Sequence, residues 1–493
     1  MKKDNLLFLK ESRLNNKLFY KLEKAIKKIF ILIFFCLKST IIVNAQTADS
    51  SADRQTKCIL QYLSGLPSQT GNRVISGQWM NYRGLPETPF SEFDTVITAL
   101  YNQTNEWVGI IGTNYARFHT IPYYIAIENM KQVNQPLINY SRQNGLIFIM
   151  ANFKNPWNQT NSNDLSNSNN LLDVVTNGHP ANTNFNKELD SLAIGFSQLQ
   201  DSSVTVLFRP FHEMNGNWFW WGSKTSTLPV NSDFTALWNY VFNYLTNVKN
   251  IHNVLWCYTP SARESTVGNP AFKTELFYYP GDSLVDVIGL DIYNDTLDIP
   301  NYNSIIALNK PVGIAEFGQR KQTVQNNPFV YDYSILINQI RNKYPKLCYW
   351  VSWNHFKNRT NDWIFYSMTT QSNTTNLLTD PWVVNRNEID YSDCLTTRVE
   401  LPMSQNGSIN ISPNPSSDYI EISSPSHKWG MGGVPEIKIY NTLGECVINV
   451  EKGLKPESGE YAGQIHHIDI SRLPSGLYFL KINDCFQKFE VFR

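Results

Sequence analysis

The chain has 493 residues, more than one hydrophobic core usually fills, so two to three domains are expected. Hydrophobic residues make up 42% and aromatic ones 13%, which excludes a disordered chain, while charged residues reach only 17% against roughly 25% in typical globular proteins. The 42 basic residues cancel 42 acidic ones, which removes the electrostatic drive for nucleic-acid binding and disfavours anionic substrates. A chain rich in aromatic residues, Asn, Ser and Thr suits a neutral, polar, ring-shaped partner, and sugars fit that description.

Residues 21–45 carry Lys21, Lys24, Lys27 and Lys28 ahead of an apolar run at 29–37, and end in Val43-Asn44-Ala45, a small-residue cleavage pattern. This predicts a secretory signal, preceded by a long leader over residues 1–20. The nine apolar residues before Lys38 fall short of the ~20 that a membrane-spanning helix needs. Cys36 leaves with the signal. The remaining Cys58, Cys257, Cys348, Cys394, Cys446 and Cys485 allow 15 pairings, and most are expected to be buried thiols or to form one or two structural bridges. No CxxC or Cys/His spacing suggests a metal site, and no cofactor is expected.

Between residues 73 and 354 a short apolar run followed by polar loop and amphipathic helical sequence occurs eight times. The runs are 73–79, 107–115, 145–153, 205–213, 253–260, 285–293, 311–318 and 347–354. Continuous hydrophobicity marks strands covered on both faces, hence a parallel sheet. Eight such units predict an α/β fold, a closed (β/α)8 TIM barrel. No GxGxxG or GxxxxGK[ST] supports a doubly wound nucleotide-binding alternative. The polar tract 158–170 reads as a mobile surface loop bordering the cleft. After about residue 400 short alternating runs with Asn-Pro, Leu-Gly and Pro-Ser-Gly turns predict a small all-β sandwich. The expected division is therefore 1–45 for export, 46–400 for the barrel and 401–493 for a non-catalytic sandwich.

The densest stretch of chemistry is Arg209-Pro210-Phe211-His212-Glu213-Met214-Asn215-Gly216-Asn217-Trp218-Phe219-Trp220-Trp221-Gly222. Functional groups of such barrels emerge at the C-terminal ends of strands, and Glu213 ends the fourth run. Walled by Trp218, Trp220 and Trp221, its carboxyl group would be desolvated and held neutral, as a general acid requires. Glycosidic hydrolysis commonly uses a carboxyl pair. Glu316, in Ile314-Ala315-Glu316-Phe317-Gly318, supplies the second, at the end of an apolar strand where an unpaired charge would be costly. Strands four and seven face each other across the barrel mouth. A separation of ~5–5.5 Å would give retention and ~6.5–9.5 Å inversion.

Tyr293 ends the sixth run, placed to donate its phenol to Glu316. His212 is expected to point away from Glu213 along an extended strand, binding a sugar hydroxyl or satisfying a core hydrogen bond. Arg209 reads as structural, paired with acidic neighbours in the barrel mouth. Trp353, in Trp350-Val351-Ser352-Trp353-Asn354, offers a flat apolar face that a sugar ring can cover.

With these residues in place, residues 55–385 resemble the family 26 glycoside hydrolases, through RPFHEMNGNWFWWG, VDVIGLDIY, AEFG and WVSWN. The resemblance implies a retaining endo-β-1,4-mannanase, with Glu213 as acid/base, Glu316 as nucleophile and Tyr293 bonded to the nucleophile. It also implies that His212 and Trp218 line the reaction centre and that Trp353 contacts the sugar. Two positions depart from the family. Asn152 stands where a histidine is common, and Asn354 stands where some mannanases place arginine. Asn152 is thereby expected to contact substrate, and the substitutions leave mixed-linkage β-1,3-1,4-glucan and β-xylan open beside β-mannan. A carbohydrate-binding surface protein without turnover and a structural adhesin are the alternatives from other classes. The C-terminal segment resembles the Bacteroidetes type IX secretion sorting domain, which implies the secretion machinery as a partner and release or attachment at the cell surface; a monomer is expected.

Overall fold

The computed structural model describes residues 45–71, 73–80, 93–115, 134–166, 170–224, 229–262, 271–319, 330–357, 363–396, 410–423, 437–441, 445–450, 466–482 and 485–493. The predicted leader and the core of the predicted signal, residues 1–44, lie outside them. Two compact units divide the chain, residues 1–395 and 396–493.

The first unit is a closed parallel barrel. Its strands are β1, interrupted at Ser76 into Val74–Ile75 and Gly77–Trp79; β2, Ile110–Asn114; β3, Leu146–Met150; β4, Val206–Arg209; β5, Val254–Tyr258; β6, Val287–Tyr293; β7, Val312–Gly318; and β8, Leu347–Ser352. Each pairs in parallel with the next, and Gln78 opposite Ser352 closes the ring between β1 and β8. A short ninth strand, β9, Val383–Val384, pairs in parallel with Val74–Ile75. The strands are apolar throughout because both faces are covered: Ile147, Ile149, Val206 and Phe208 pack outward against helices, while Leu146, Phe148, Met150 and Leu207 fill the interior. The interior also takes Trp79 whole. A Cβ at Gly112 would stand 2.5 Å from its indole, so glycine at that place makes the room.

Helices begin where side chains satisfy their first amides. Asp53 accepts from Thr56 N–H at 2.7 Å to start α1, Arg54–Gly65. Pro180 opens α2, Pro180–Asp201, with His179 Nδ1 accepting from Ala181. Asp332 caps α4, Tyr333–Lys343, which follows α3, Asn231–Asn243. Among the described residues no helix is long and apolar enough to cross a membrane. Cys58 in α1 is bridged to Cys394, 336 residues later, and Cys257 and Cys348 are buried thiols inside the barrel.

The second unit is all β. One sheet runs β10 (Asn410–Ser412), β11 (Tyr419–Ser423) and β14 (His466–Asp469). The other runs β13 (Cys446–Val450), β12 (Ile437–Tyr440), β15 (Gly476–Ile482) and β16 (Cys485–Val491), with all pairings antiparallel. Alternate residues supply its core: Ile420, Ile422, Ile437, Ile439, Ile468, Leu480 and Phe489.

Candidate active site

The polar centre of the barrel mouth is built on Arg209, the last residue of β4. It is fully buried, and a buried guanidinium needs acceptors. Arg209 Nη1 and Nη2 donate to both oxygens of Asp291 on β6, at 3.1 and 2.9 Å, and Nη2 also donates to Glu316 Oε1 on β7 at 2.5 Å. Asp291 and Glu316 are direct partners in the β6–β7 register, where a bulge follows Leu290. Beneath the guanidinium lies the Trp79 ring, 5.4 Å from its centre, and against Trp79 stands Trp353, with ring centroids 5.3 Å apart.

Glu316 is gripped from its other side by Tyr293, whose hydroxyl donates to Oε2 at 2.5 Å. Burial, reinforced by the Glu316 charge, keeps the phenol protonated far above its ordinary range, so it remains a donor. Burial pushes both the Glu316 and the Asp291 carboxyl up, opposed at each by Arg209 and at Glu316 also by Tyr293. One cation therefore faces two carboxylates, and Glu316 is the one that also holds a phenol donor.

Glu213 sits beyond the strand, not on it. The predicted run 205–213 stops being strand at Arg209 because Pro210 has no N–H to offer the ladder. Glu213 then takes a left-handed backbone, φ 49°, uncommon for a residue with a Cβ. The conformation is held by its N–H donating to Thr259 O at 2.8 Å and its carbonyl accepting from Gly216 at 2.9 Å. Trp218 Nε1 donates to Glu213 Oε2 at 2.6 Å. The Glu213 charge is felt by Arg209, Asp291 and Tyr293, which places both glutamates in one electrostatic cluster.

Two expectations about this loop are corrected. Trp220 and Trp221 do not wall the carboxyl group: both are fully buried, and their indoles donate to Phe153 O and His212 O at 2.9 Å each. They anchor the loop from below. His212 does not alternate with Glu213 along a strand, because both lie in turns. Its ring packs against Phe219 and Trp221 at 4.4 and 5.6 Å, its buried Nδ1 has no hydrogen-bond partner among the described residues, and burial, with Arg209 nearby, holds it neutral, well below its ordinary pKa.

Asn152, two residues past the end of β3, is half-buried, and its enclosed Oδ1 has no hydrogen bond among the described residues. The polar tract expected to be mobile is cross-bonded in its described part. Asn155 Nδ2 donates to Asp164 O and Ser166 O, and Asp164 accepts from Thr160 and Ser166 hydroxyls at 2.6 Å each. These bonds hold the Asp164 carboxyl down to about 2. Ser162 O and Asn163 Nδ2 then join the tract to Trp220 N–H and Trp218 O.

Residues 48–388 match the family described as Glycosyl hydrolase family 26. The chain belongs to this family. It is a glycoside hydrolase, and a second match, to the Secretion system C-terminal sorting domain over residues 410–489, indicates a secreted or cell-surface protein. The family 26 hydrolase is 32% identical over 385 residues to a mannan endo-1,4-beta-mannosidase of Bacillus subtilis strain 168, covering 76% of this chain and 98% of that one. It is 29% identical over 434 residues to mannan endo-1,4-beta-mannosidase A and B of Caldalkalibacillus mannanilyticus, covering 85% and 78% of the two chains. The solved structure of Bacillus subtilis mannanase man26 superposes with a TM-score of 0.59 at 28% identity, over 70% of this chain and 96% of that one.

Sequence reasoning left Asp291 unassigned. The signal existed: an acid interrupting the apolar run VIGLDIY is as costly as Glu316 in its own strand. Trp79, too, ended a predicted strand without being assigned to the site.

Proposed function

We propose that this family 26 hydrolase is a secreted endo-β-1,4-mannanase that cleaves mannan, glucomannan or galactomannan with retention of configuration. The observation that carries the reading is the unequal treatment of two clustered glutamates. Glu316 is fixed by a guanidinium and a phenol that stabilise its charge, whereas Glu213 receives an indole N–H and stands one loop away.

In this reading Glu316 attacks the anomeric carbon while Glu213 gives its proton to the glycosidic oxygen, and the leaving sugar departs with a new hydroxyl. The ester on Glu316 is then hydrolysed by water, whose proton Glu213 takes, and both glutamates return to their starting states. Arg209 and Tyr293 orient the nucleophile, neutral His212 and Trp218 line the reaction centre, Trp353 lies under the sugar, and Asn152 bonds a hydroxyl. Residues 46–400 carry the chemistry and 401–493 serve delivery through the secretion machinery.

Reducing-end release measured on mannan, mixed-linkage β-glucan and β-xylan tests the substrate. Activity on mannan with Glu316→Ala inactive is the expected result; activity confined to either rival polysaccharide overturns the mannan assignment. Mixed-linkage β-glucan or β-xylan is the second reading, favoured by Asn152 where mannanases commonly carry histidine and by Asn354 where some carry arginine.

A further inference from the structure

Phe272 is a half-buried aromatic residue in the connection from β5 to β6, and no core packing among the described residues accounts for it. Trp218, Leu276 and Tyr279 pack against the main apolar cluster; Phe272 is absent from it. Among the described residues its one ring contact is Trp218, with centroids 5.7 Å apart and planes inclined at 41°. Trp218 is itself backed by the chain at Gly216, where a Cβ would stand 2.2 Å from the indole. The two rings form two walls of one corner, with Glu213 bonded at its edge.

This corner is built rigidly. Asn215, fully buried, ties the Glu213 loop to the β5–β6 connection: its Nδ2 donates to Ser261 O at 2.8 Å and to Lys273 O at 3.0 Å, and its Oδ1 accepts from Ser261 N–H at 2.9 Å. Lys273 N–H returns a bond to Asn215 O at 2.9 Å. The residue following Phe272 is thus bonded on both its N–H and C=O to the loop that carries the acid.

We propose that Phe272 and Trp218 together form the platform for the leaving-group sugar, with Phe272 selecting polymeric over small leaving groups. The inference rests on Glu213 acting as acid/base and Glu316 as nucleophile. The nucleophile attacks the anomeric carbon from one face while the acid protonates the oxygen departing from the other. A side chain that bonds the acid and not the nucleophile therefore borders the departing sugar. Trp218 meets that condition, and Phe272, in ring contact with it, extends its surface. Flat rings of low side-chain entropy suit the C–H face of a pyranose.

The test compares two substrates with the full-length protein. On mannohexaose, Phe272→Ala should lose about 10- to 100-fold in kcat/KM, the equivalent of withdrawing one aromatic side chain from contact. On β-mannobiosyl fluoride, whose leaving group is a single atom too small to reach the platform, kcat/KM should be unchanged. Phe272→Trp should restore the oligosaccharide rate. Because an incoming sugar must occupy the same corner, Phe272→Ala should also lower the yield of transfer to added mannobiose relative to hydrolysis. Equal losses on both substrates, or no loss on mannohexaose, would overturn the proposal. Wild-type protein inactive on both substrates would instead remove the mannanase reading on which it rests.

Discussion

Asp291→Asn isolates what the third carboxylate does. Asp291 Oδ2 and Glu316 Oε1 accept from the same Arg209 nitrogen at 2.9 and 2.5 Å, so those oxygens lie no farther apart than the two distances end to end, 5.4 Å. Two unit charges at that distance repel by about 3 kcal/mol at an effective dielectric constant of about 20, equivalent to about a hundredfold in proton affinity. Asparagine keeps the shape and one acceptor but removes this repulsion, leaving one cation facing one carboxylate. Glu316, raised by burial in the wild type, should then hold its proton less tightly, and it should stay ionised to lower pH. The assay is the pH dependence of kcat/KM on an aryl β-mannobioside. The acid limb should move toward lower pH, by an amount on the order of this hundredfold change in proton affinity. An acid limb that stays in place, or moves to higher pH, would refute the charge argument. Arg209→Met should do the reverse, shifting the limb upward and lowering stability by about 3–5 kcal/mol, because two buried carboxylates lose their cation.

Trp218→Phe removes the indole N–H from Glu213 while keeping an aromatic ring. Since that bond favours the ionised carboxylate, the basic limb of kcat/KM should move to higher pH, and an unmoved limb would exclude the bond as a tuning contact. Reducing the bridge between Cys58 and Cys394, or replacing both cysteines by serine, should lower unfolding stability by about 2–5 kcal/mol with little change in kcat at 25 °C; calorimetry with and without reductant checks this. Asp286, which accepts N–H bonds from Ala48 and Trp256 at 2.7 and 2.8 Å, is pushed up to about 6 by burial from an ordinary 3.8. The folded state then binds this proton more tightly than the unfolded state. Its stabilisation is complete below about pH 4 and is lost as pH rises through 6, a change of about 3 kcal/mol. Denaturant titrations should show the gap between wild type and Asp286→Asn narrowing by that amount from pH 4 to 7; a constant gap would contradict it.

The barrel was legible because strands covered on both faces leave unbroken apolar runs, and each of the eight runs contains a barrel strand. Glu316 and Tyr293 could be placed because a polar residue at the end of such a strand has only the barrel mouth to occupy. The fourth loop was less legible. Four aromatic residues in a row announce a special structure, yet only tertiary packing decides that Trp218 turns to the acid while Trp220 and Trp221 turn to the core. The left-handed turn at Glu213 depends on a bond to Thr259 O, just past the end of the neighbouring strand β5, which no local pattern encodes. Pairing of Cys58 with Cys394 was equally out of reach, since spacing along the chain carries no information about which ends of a closed barrel meet.

That bridge also fixes where force can enter the molecule. Cys394 stands one residue before the boundary of the catalytic unit at Leu395, and the chain continues from there into the sorting domain. Tension applied through the tail during export or surface retention is therefore handed at once, through a covalent bond, to α1. The strands between them lie outside the load path, so the active site can be towed without being unzipped from its C-terminal end.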